Sequence, residues 1–452
     1  MKPKYKKYSV LGSARSGMAA ALFLKHKGMD VFVSELQEAD HFIESKKQYD
    51  EYDIEYEYGK NSNRVLDSDC IVVSPGISLS IPLLETAREN GIPIVSEIEV
   101  GSWFYDGTII AITGTNGKST TTALIGYLLE QAGYNCMVAG NIGYPFTRAL
   151  YESGPCEYAV LEVSSYQLDS IKTFHPNVAV ITNIMPDHLS RYNNNFQEYV
   201  SSKARILANM AADDHLVYNA DDTNVVTVVE EAETNKHCYS STVRGECTAY
   251  KVDNMLIIGD SSGSILEIDV SNMILVGEHN YQNVMAASIV ARICNMSKEV
   301  IEAGVTSFKG LPHRLEYIGE TSSLRWINDS KATNVASLAT ALTTLSGSKI
   351  CLIMGGQSKG EDYRGLLDLM LQQVVHVILI GTAASEIYEV IRDSILSTFA
   401  VDLEHAVNIA GSQADSVDVI LLSPGCASFD QFKDYEERGD KFRYLVDRYI
   451  NE

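Results

Sequence analysis

The chain of 452 residues is too long for one ordinary hydrophobic core, and at roughly 100–200 residues per domain it predicts about three domains. Its formal net charge of -23 disfavours general binding to nucleic acid or to an anionic membrane surface, because phosphate groups are held by clustered lysine and arginine side chains. With 45% hydrophobic and 21% charged residues, the composition is globular and excludes long disordered segments.

Short apolar runs alternate with amphipathic helical stretches along most of the chain. This alternation indicates parallel sheets covered by helices, so the predicted fold class is α/β. Strands are predicted, in chain order, at Tyr8–Leu11, Val31–Val33, Cys70–Val73, Thr108–Ile112, Tyr158–Val163, Val178–Thr182, Ile350–Met354, Val375–Ile380 and Val417–Leu422. Helices are predicted at Gly17–Lys27, Lys118–Gln131, Asn283–Cys294 and Phe429–Tyr449.

Two breaks divide the chain into predicted domains. Gly101–Gly107 is typical of a connector ahead of a new strand, and Gly310-Leu311-Pro312 is a glycine–proline break after a helix. The predicted domains are therefore residues 1–107, 108–311 and 312–452.

The middle of the chain departs from the alternation of strand and helix. Residues from about 247 to 276 contain short strands separated by turn residues, which predicts a small antiparallel β insertion.

The outer parts of the chain share a sequence pattern, because an apolar strand runs into Ser-Pro-Gly at residues 74–76 and again at residues 423–425. Two similar outer sheet domains around a different central one would explain this echo, and chance is the alternative.

The first strand–helix junction carries Gly12-Ser13-Ala14-Arg15-Ser16-Gly17. It resembles a dinucleotide-binding fingerprint, but Ala14 stands where the second glycine would let a pyrophosphate approach the backbone. The motif predicts a nucleotide-like ligand rather than a full NAD site, and a purely structural turn is the alternative.

The strongest motif is Gly114-Thr115-Asn116-Gly117-Lys118-Ser119-Thr120, between a predicted strand and a predicted helix. Backbone N–H groups and a helix N-terminus converge there on anionic oxygens, as in a phosphate loop. Lys118 would reach the β- and γ-phosphates and Ser119 would hold Mg²⁺. Ile112 stands where the general pattern has its first glycine, so the loop is a shortened variant.

Two further residues follow neighbouring strands. Glu162 lies inside an apolar strand, where a carboxylate is costly unless it is paired or coordinated, and it is the natural second Mg²⁺ ligand. A salt-bridged glutamate at a strand end is the alternative. His188 follows the strand Val178–Thr182, at the edge where ligand crevices form in parallel sheets, which favours a role in the site. A satisfied structural histidine is the alternative.

Three polar clusters in the C-terminal third each lie beside a predicted strand: Asn328–Asn334, Gly355–Gly360 and Ser423–Phe429. Each alone is also typical of a solvated loop. Together they place Asp329, Lys331, Thr333, Lys359 and Ser428 at one face of a sheet, which predicts a pocket for a small anion.

Cysteine usage and the absence of targeting segments indicate a cellular compartment. The eight cysteines form no Cys-x-x-Cys pair, which predicts buried free thiols in a reducing cytosol. The N-terminal lysines are not followed by the apolar stretch of a signal peptide, and no run approaches the ~18 apolar residues of a membrane span. The sequence therefore predicts a cytoplasmic protein without a membrane or nucleic-acid partner.

The motifs as a set resemble the Mur ligase family along the full length of the chain, and in particular its D-glutamate-adding member. The phosphate loop matches the family's form, including the missing first glycine. The other matching motifs are Leu161–Leu168, Gly277–Asn283, Gly310–Arg314, Asn328–Asn334 and Ser423–Phe432. One departure follows His188, where the family usually has an acidic residue and a histidine and this chain has Ser190 and Tyr192.

The resemblance implies a Rossmann-like UDP-binding domain, a central P-loop ATPase and a Rossmann-like D-glutamate-binding domain. It implies that ATP phosphorylates the carboxylate of UDP-N-acetylmuramoyl-L-alanine and that the D-glutamate amine then attacks the acyl phosphate. The roles of the matching residues in the family imply that Lys118, Glu162, His188 and Lys203 are catalytic. The resemblance implies no protein partner.

The resemblance also implies which residues bind the metal ions and each substrate. One Mg²⁺ ion is expected at Ser119 and Glu162 and a second at His188 and a carbamylated Lys203. ATP is expected at Gly114, Thr115, Asn116, Gly117, Lys118, Ser119, Thr120, Asn280, Asn283, Arg314 and Asp329. The UDP substrate is expected at Gly12, Ser16, Gly17, Ser74, Pro75, Gly76 and Asn141, and D-glutamate at Thr333, Lys359, Ser428, Phe429 and Tyr435.

Three alternatives explain part of the pattern. A folylpolyglutamate synthase shares the central ATPase but lacks the N-terminal strand–glycine–helix pattern. A nicotinamide-dependent oxidoreductase explains Gly12–Gly17 but not the phosphate loop. A non-catalytic nucleotide-binding module explains the loop but not Glu162, His188 and the C-terminal lysines.

Overall fold

The computed structural model describes residues 5–154, 156–187, 189–242, 247–259, 263–275, 277–321, 324–358, 360–413 and 416–451. It confirms the α/β class: three sheets, parallel for the most part, are covered by helices. Within the described residues, no helix is both long enough and apolar enough to cross a membrane.

The N-terminal sheet has five parallel strands in the order β3-β2-β1-β4-β5. The central strand of this sheet is buried at four of its five positions, as expected for an apolar run covered on both faces. The strands are β1 Lys7–Leu11, β2 Asp30–Ser34, β3 Glu55–Glu57, β4 Cys70–Val73 and β5 Ile94–Ser96. The helices are α1 Arg15–His26, α2 Ile43–Glu51, α3 Pro82–Glu89 and α4 Glu97–Trp103.

The second sheet has nine strands in the order β14-β13-β12-β11-β10-β9-β6-β8-β7. In the part of this sheet that the structure describes, only the pairs β12–β13 and β13–β14 are antiparallel, which confirms the predicted insertion. The strands are β6 Thr108–Thr113, β7 Cys136–Gly140, β8 Tyr158–Glu162, β9 Val178–Ile181, β10 His215–Asn219, β11 Asn235–Ser240, β12 Ala249–Val252, β13 Met255–Gly259 and β14 Ile265–Asp269. The helices are α5 Lys118–Gln131, α6 Phe146–Ser153, α7 Ser165–Leu168, α8 Phe196–Ala204, α9 Thr223–Val229, α10 Glu278–Ile293 and α11 Lys298–Ser307.

The third sheet has six strands in the order β15-β16-β20-β17-β18-β19, and among its described residues only the β15–β16 pair is antiparallel. The strands are β15 Glu316–Thr321, β16 Leu324–Asn328, β17 Ile350–Gly355, β18 Val374–Ile380, β19 Leu396–Phe399 and β20 Val419–Leu422. The helices are α12 Val335–Thr344, α13 Leu367–Leu371, α14 Ala384–Ile391, α15 Leu403–Gly411 and α16 Tyr435–Asn451.

The chain forms two compact units, Met1–Phe308 and Lys309–Glu452. The division lies beside the predicted break at Gly310-Leu311-Pro312. The first unit contains two of the three sheets, and the three-domain boundaries at residues 107 and 311 remain predictions.

Helix α4 joins the first two sheets through buried carboxylates. Glu97 Oε1 accepts hydrogen bonds from the Thr147 backbone N–H at 2.5 Å and from Thr147 Oγ1 at 2.7 Å. Glu99 accepts from the N–H groups of Lys172, Thr173 and Phe174. These contacts attach the N-terminal sheet to the central one, and they leave Oε2 of the buried Glu97 without a hydrogen-bond partner among the described residues.

Two predictions are corrected. The last helix begins at Tyr435 rather than Phe429, because Asp434 Oδ1 accepts the Glu437 N–H at 2.8 Å and starts the helix there, while Asp430 instead accepts the Thr382 N–H at 3.0 Å. The prediction of eight free thiols is wrong at one pair, since Cys238 and Cys247 form a disulfide with Cα atoms 4.9 Å apart. The other six cysteines are free.

Candidate functional site

The phosphate loop leaves strand β6 and enters helix α5 through two glycines with positive φ, Gly114 at 145° and Gly117 at 81°. A Cβ atom on Gly114 would lie 1.9 Å from Thr182 Oγ1, and one on Gly117 would lie 2.4 Å from Asn283 Oδ1. Both positions therefore require glycine, for conformation and for space.

Asn183 holds the tip of this loop. Its Oδ1 accepts the Asn116 backbone N–H at 2.8 Å, and its Nδ2 donates to the Asn116 carbonyl at 3.1 Å. Thr182 Oγ1 donates to the same carbonyl at 2.6 Å. No role for Asn183 was predicted from the sequence, because a paired amide is recognisable only once the partner backbone is placed.

Lys118 and Ser119 begin helix α5. The Lys118 ammonium donates to the Thr115 carbonyl at 2.7 Å, so the charge is held over the loop. Ser119 is buried and Thr120 half-buried in the first turn, where backbone N–H groups lack partners within the helix. The arrangement fits the binding of phosphate oxygens.

Glu162 ends strand β8, which pairs with β6 beside the loop. Its Oε1 accepts from Asn141 Nδ2 at 2.9 Å, whereas its buried Oε2 has no hydrogen-bond partner among the described residues. A buried carboxylate oxygen without a donor is costly unless a cation compensates it. The oxygen atoms of Glu162 and Ser119 are also the ligand type that Mg²⁺ prefers, so these residues fit such an ion.

Lys203 is buried in helix α8, with 2% of its surface exposed. Its Nζ donates to the Gly114 carbonyl at 2.6 Å and lies 4.7 Å from the centre of the Tyr199 ring. Burial, followed by the nearby positive charge of Lys118, lowers the pKa of Lys203 to about 7. The lysine is therefore not a solvated helix residue, and a large share of it is neutral near pH 7.

His188 lies outside the described residues, as does Lys359. The loop that leads to position 188 is fixed at two points. The Ile184 N–H donates to Asp222 Oδ2 at 2.7 Å, and the Met185 N–H donates to Thr115 Oγ1 at 3.0 Å. This loop is thus attached to the phosphate loop.

The N-terminal sheet brings together the glycine motif and the Ser-Pro-Gly turn. A Cβ on Gly12 would lie 2.6 Å from Ser74 Oγ, and one on Gly17 would lie 1.9 Å from the Gly12 carbonyl oxygen. Ser16 and Pro75 are half-buried in the same region, and Gly76 is exposed with open space where a Cβ would stand.

Glu35 is a functional candidate that was not predicted from the sequence. It follows strand β2, and its Oε2 accepts the Ser13 backbone N–H at 2.8 Å. An acidic residue about 20 positions after a glycine motif, at the end of the second strand, is the usual ligand of a ribose hydroxyl. That spacing was available in the sequence.

Helix α10 brings Asn283 to the phosphate loop. Asn283 is buried, and its Oδ1 accepts from Thr121 Oγ1 at 3.2 Å. Asn280 lies one turn earlier and is half-buried, and its Oδ1 accepts a hydrogen bond from Asn283 Nδ2 at 3.4 Å. Both asparagines therefore belong to the region of the phosphate loop.

The second unit has a buried carboxylate at the end of its sheet. Asp329 accepts from Ser423 Oγ at 2.7 Å and from the Leu315 N–H at 3.2 Å. Burial raises the pKa of Asp329, while these hydrogen bonds and the nearby Arg314 charge lower it. The effect of burial is larger, and the resulting pKa is about 7. The half-buried Arg314 thus lies within electrostatic reach of Asp329.

The predicted amino-acid pocket is assembled in part. The Gly425 N–H donates to the Ala332 carbonyl at 2.9 Å, which joins two of the three polar clusters. Lys331 Nζ lies 5.6 Å from the centre of the Tyr435 ring. Thr333 is half-buried, Ser428 is buried and Phe429 is exposed.

Comparison with known proteins covers nearly the whole chain. Models of the Mur ligase MurD-like N-terminal domain, the Mur ligase middle domain and the Mur ligase glutamate ligase domain match residues 6–96, 112–291 and 313–426. The UDP-N-acetylmuramoylalanine--D-glutamate ligase of Salinibacter ruber is 40% identical over 451 residues, which cover 97% of each chain. The ligase of the same name from Acidobacterium capsulatum is 39% identical over 449 residues, covering 99% of this chain and 97% of its own.

Solved structures share the fold. UDP-N-acetylmuramate-alanine ligase MurC from Thermotoga maritima matches with a TM-score of 0.59 and 18% identity over 99% of each chain. MurF from Acinetobacter baumannii matches with a TM-score of 0.59 and 18% identity over 98% of this chain and 93% of its own. Identities this low establish a common fold and no more.

Proposed function

Because this chain belongs to the Mur ligase family, we propose that it joins D-glutamate to UDP-N-acetylmuramoyl-L-alanine, with ATP converted to ADP and phosphate. The observation that carries the proposal is the cluster around Gly114: a glycine-dependent phosphate loop, the buried Glu162 carboxylate and the buried Lys203 amine. The proposed reaction is a step of cytoplasmic peptidoglycan precursor synthesis.

The chemistry has two steps. A carboxylate oxygen of the alanine attacks the γ-phosphorus of ATP, the bond to the β-phosphate oxygen breaks, and ADP leaves. The D-glutamate amine then attacks the acyl carbon, phosphate departs with the electron pair of its C–O bond, and the nitrogen loses a proton. The first step brings anions together, so Lys118 and the N-terminus of α5 contribute by neutralising charge.

Two Mg²⁺ ions would neutralise further phosphate charge when bound. Ser119 and Glu162 would hold one, and His188 and Lys203 the other. Asn141 would orient Glu162 and the substrate carboxylate, consistent with its hydrogen bond to Glu162 Oε1.

We also propose that Lys203 is carbamylated. Carbamylation needs a neutral amine, which attacks carbon dioxide, forms an N–C bond and loses one proton. The low pKa of the buried Lys203 favours that amine form. A carbamate nitrogen keeps one N–H group, so it can retain the hydrogen bond to the Gly114 carbonyl while adding two anionic oxygens.

The remaining roles are assigned by family. Asn280 and Asn283 near the phosphate loop, and Arg314 and Asp329 in the second unit, would bind ATP. The UDP substrate would lie on Gly12, Ser16, Gly17, Ser74, Pro75 and Gly76. D-glutamate would be held by Thr333, Lys359, Ser428, Phe429 and Tyr435.

A phosphate-release assay tests the proposal. Phosphate should appear continuously only when ATP, UDP-N-acetylmuramoyl-L-alanine and D-glutamate are all present, and L-glutamate should not replace D-glutamate. Mass spectrometry should show a product heavier than the acceptor by one glutamyl group. Turnover of a folate acceptor instead of the UDP substrate, or no turnover at all, would contradict it.

A further inference from the structure

Arg191 connects the two sheets of the first unit at a point that no proposed role uses. It lies in the turn Leu189–Tyr192, directly after position 188, and reaches the Ser-Pro-Gly turn of the N-terminal sheet. Its guanidinium donates from Nη1 to the Gly76 carbonyl at 3.2 Å and from Nη2 to the Ile77 carbonyl at 2.6 Å. A planar guanidinium can make this paired contact, whereas a lysine ammonium would reach one carbonyl at a time.

The turn that carries Arg191 is itself held firmly. The guanidinium lies 4.4 Å from the centre of the Tyr166 ring, and that ring stacks on Tyr192. Tyr192 is buried, and its hydroxyl contacts Asp169 and Ser202 at 3.1 and 3.2 Å. Ser202 precedes Lys203 in helix α8, so Arg191 extends from the same packed region that places Lys203.

The segment that Arg191 reaches is the proposed diphosphate-binding turn. The Ile77 N–H closes the turn by donating to the Ser74 carbonyl at 3.0 Å. Ser74 in turn packs against Gly12 and Gly17 closely enough to exclude a Cβ atom at either. A displacement of Gly76 and Ile77 would therefore be felt by the whole glycine cluster.

We propose that Arg191 is a positioning residue that fixes the turn Ser74–Ile77 for the diphosphate of the UDP substrate. This inference rests on the proposed function. The acceptor carboxylate and the diphosphate belong to one molecule, with the muramoyl sugar between them, so the turn and the phosphate loop must keep a set distance. Arg191 contacts neutral carbonyls and a ring face, with no carboxylate paired to it in the described part of the chain. Its positive charge would therefore also attract the negatively charged diphosphate of the UDP substrate at this turn.

The test compares Arg191→Gln and Arg191→Lys with the wild type by calorimetry, using UDP-N-acetylmuramoyl-L-alanine and ATP as separate ligands. Loss of two hydrogen bonds should weaken binding of the UDP substrate on the order of tenfold in Arg191→Gln. Binding of ATP should stay within about twofold, since the phosphate loop is held by Asn183 and Thr182 instead. The affinity of Arg191→Lys for the UDP substrate should lie between those of the wild type and Arg191→Gln.

Arg64→Gln is the matched control. Arg64 also places its guanidinium over a ring, 4.2 Å from the centre of Phe32, but its ion pair with Glu55 stays within the N-terminal sheet. Both affinities should be unchanged in this variant.

Turnover separates a positioning role from a direct one. In Arg191→Gln the KM for the UDP substrate should rise while kcat stays within about threefold. Unchanged affinity for the UDP substrate, or an equal loss for both ligands, would overturn the inference. A fall in kcat at saturating substrates would overturn it as well, because the residue would then act on the reaction itself. A wild type that binds the UDP substrate without releasing phosphate would refute the proposed function and leave the positioning result readable.

Discussion

Lys203 donates a hydrogen bond from Nζ to the carbonyl oxygen of Gly114, the first residue of the phosphate loop, at 2.6 Å. The two residues are 89 positions apart, and the amine is almost completely buried. Burying a lysine amine costs free energy, because its charged form loses hydration. The structure thus places a titratable lysine against the loop that is proposed to hold ATP.

Lys203→Ala should be nearly inactive, and short free carboxylates such as formate should restore part of the activity by occupying the vacated ligand position. Phosphate release with and without formate measures this. Lys172→Ala, which removes an exposed lysine in the loop between α7 and β9, should keep full activity and show no response to formate. Thorough removal of carbon dioxide should also slow the wild type. Full activity of Lys203→Ala would refute the carbamate.

Lys118→Ala should remain folded and lose ligation on the order of 10³-fold, because a positioned cation near the transferred phosphate stabilises the transition state by several kcal/mol. The measurement is phosphate release at saturating substrates, with thermal unfolding to verify the fold. Near-normal turnover by a folded variant would mean that Gly114–Thr120 is not the ATP site.

Asn183→Ala should raise the KM for ATP on the order of tenfold, since both hydrogen bonds to the Asn116 peptide disappear and the loop tip loses its support. The KM for D-glutamate serves as the internal comparison and should change less than about twofold. Equal increases for both substrates would point to a general loss of structure rather than to a loosened phosphate loop.

Glu97→Gln should change how stability depends on pH. Burial raises the pKa of Glu97 to about 7 from a usual value of 4.5, so between these pH values the folded state binds more protons than the unfolded state. The free energy of unfolding of the wild type should therefore fall as pH rises from 4.5 to 7 and level off above that. The share of Glu97 amounts to about 3 kcal/mol.

The glutamine variant lacks this titration, so its free energy of unfolding should decline less across the window. Urea unfolding at pH 5, 6, 7 and 8 measures the difference between the two proteins, which cancels the similar contribution of Asp329. Glu89→Gln, at an exposed position, should follow the wild type at every pH. Parallel curves for wild type and Glu97→Gln would show that Glu97 is ionised in the folded state throughout.

The α/β class, the antiparallel insertion, the family and the phosphate loop were predictable from the sequence because each is encoded in contiguous residues. Apolar runs of four to six residues define strands such as Cys70–Val73 and Ile350–Gly355. The loop needs only a strand, two glycines, a lysine and a helix start, all within Thr108–Gln131. Glu162 was found for a similar reason, as a carboxylate interrupting an apolar strand.

Tertiary structure decided what depends on residues distant in the chain. Pattern alone describes Lys203 as an ordinary helix lysine, and only packing shows it buried against Gly114. The pairing of Asn183 with Asn116 and the contact of Arg191 with Gly76, 115 residues away, have no local signature, because polar side chains find their partners only after the strands are ordered. The start of the last helix was misjudged for the same reason: Asp430 contacts Thr382 in another loop, and that long-range hydrogen bond outweighs local helix propensity.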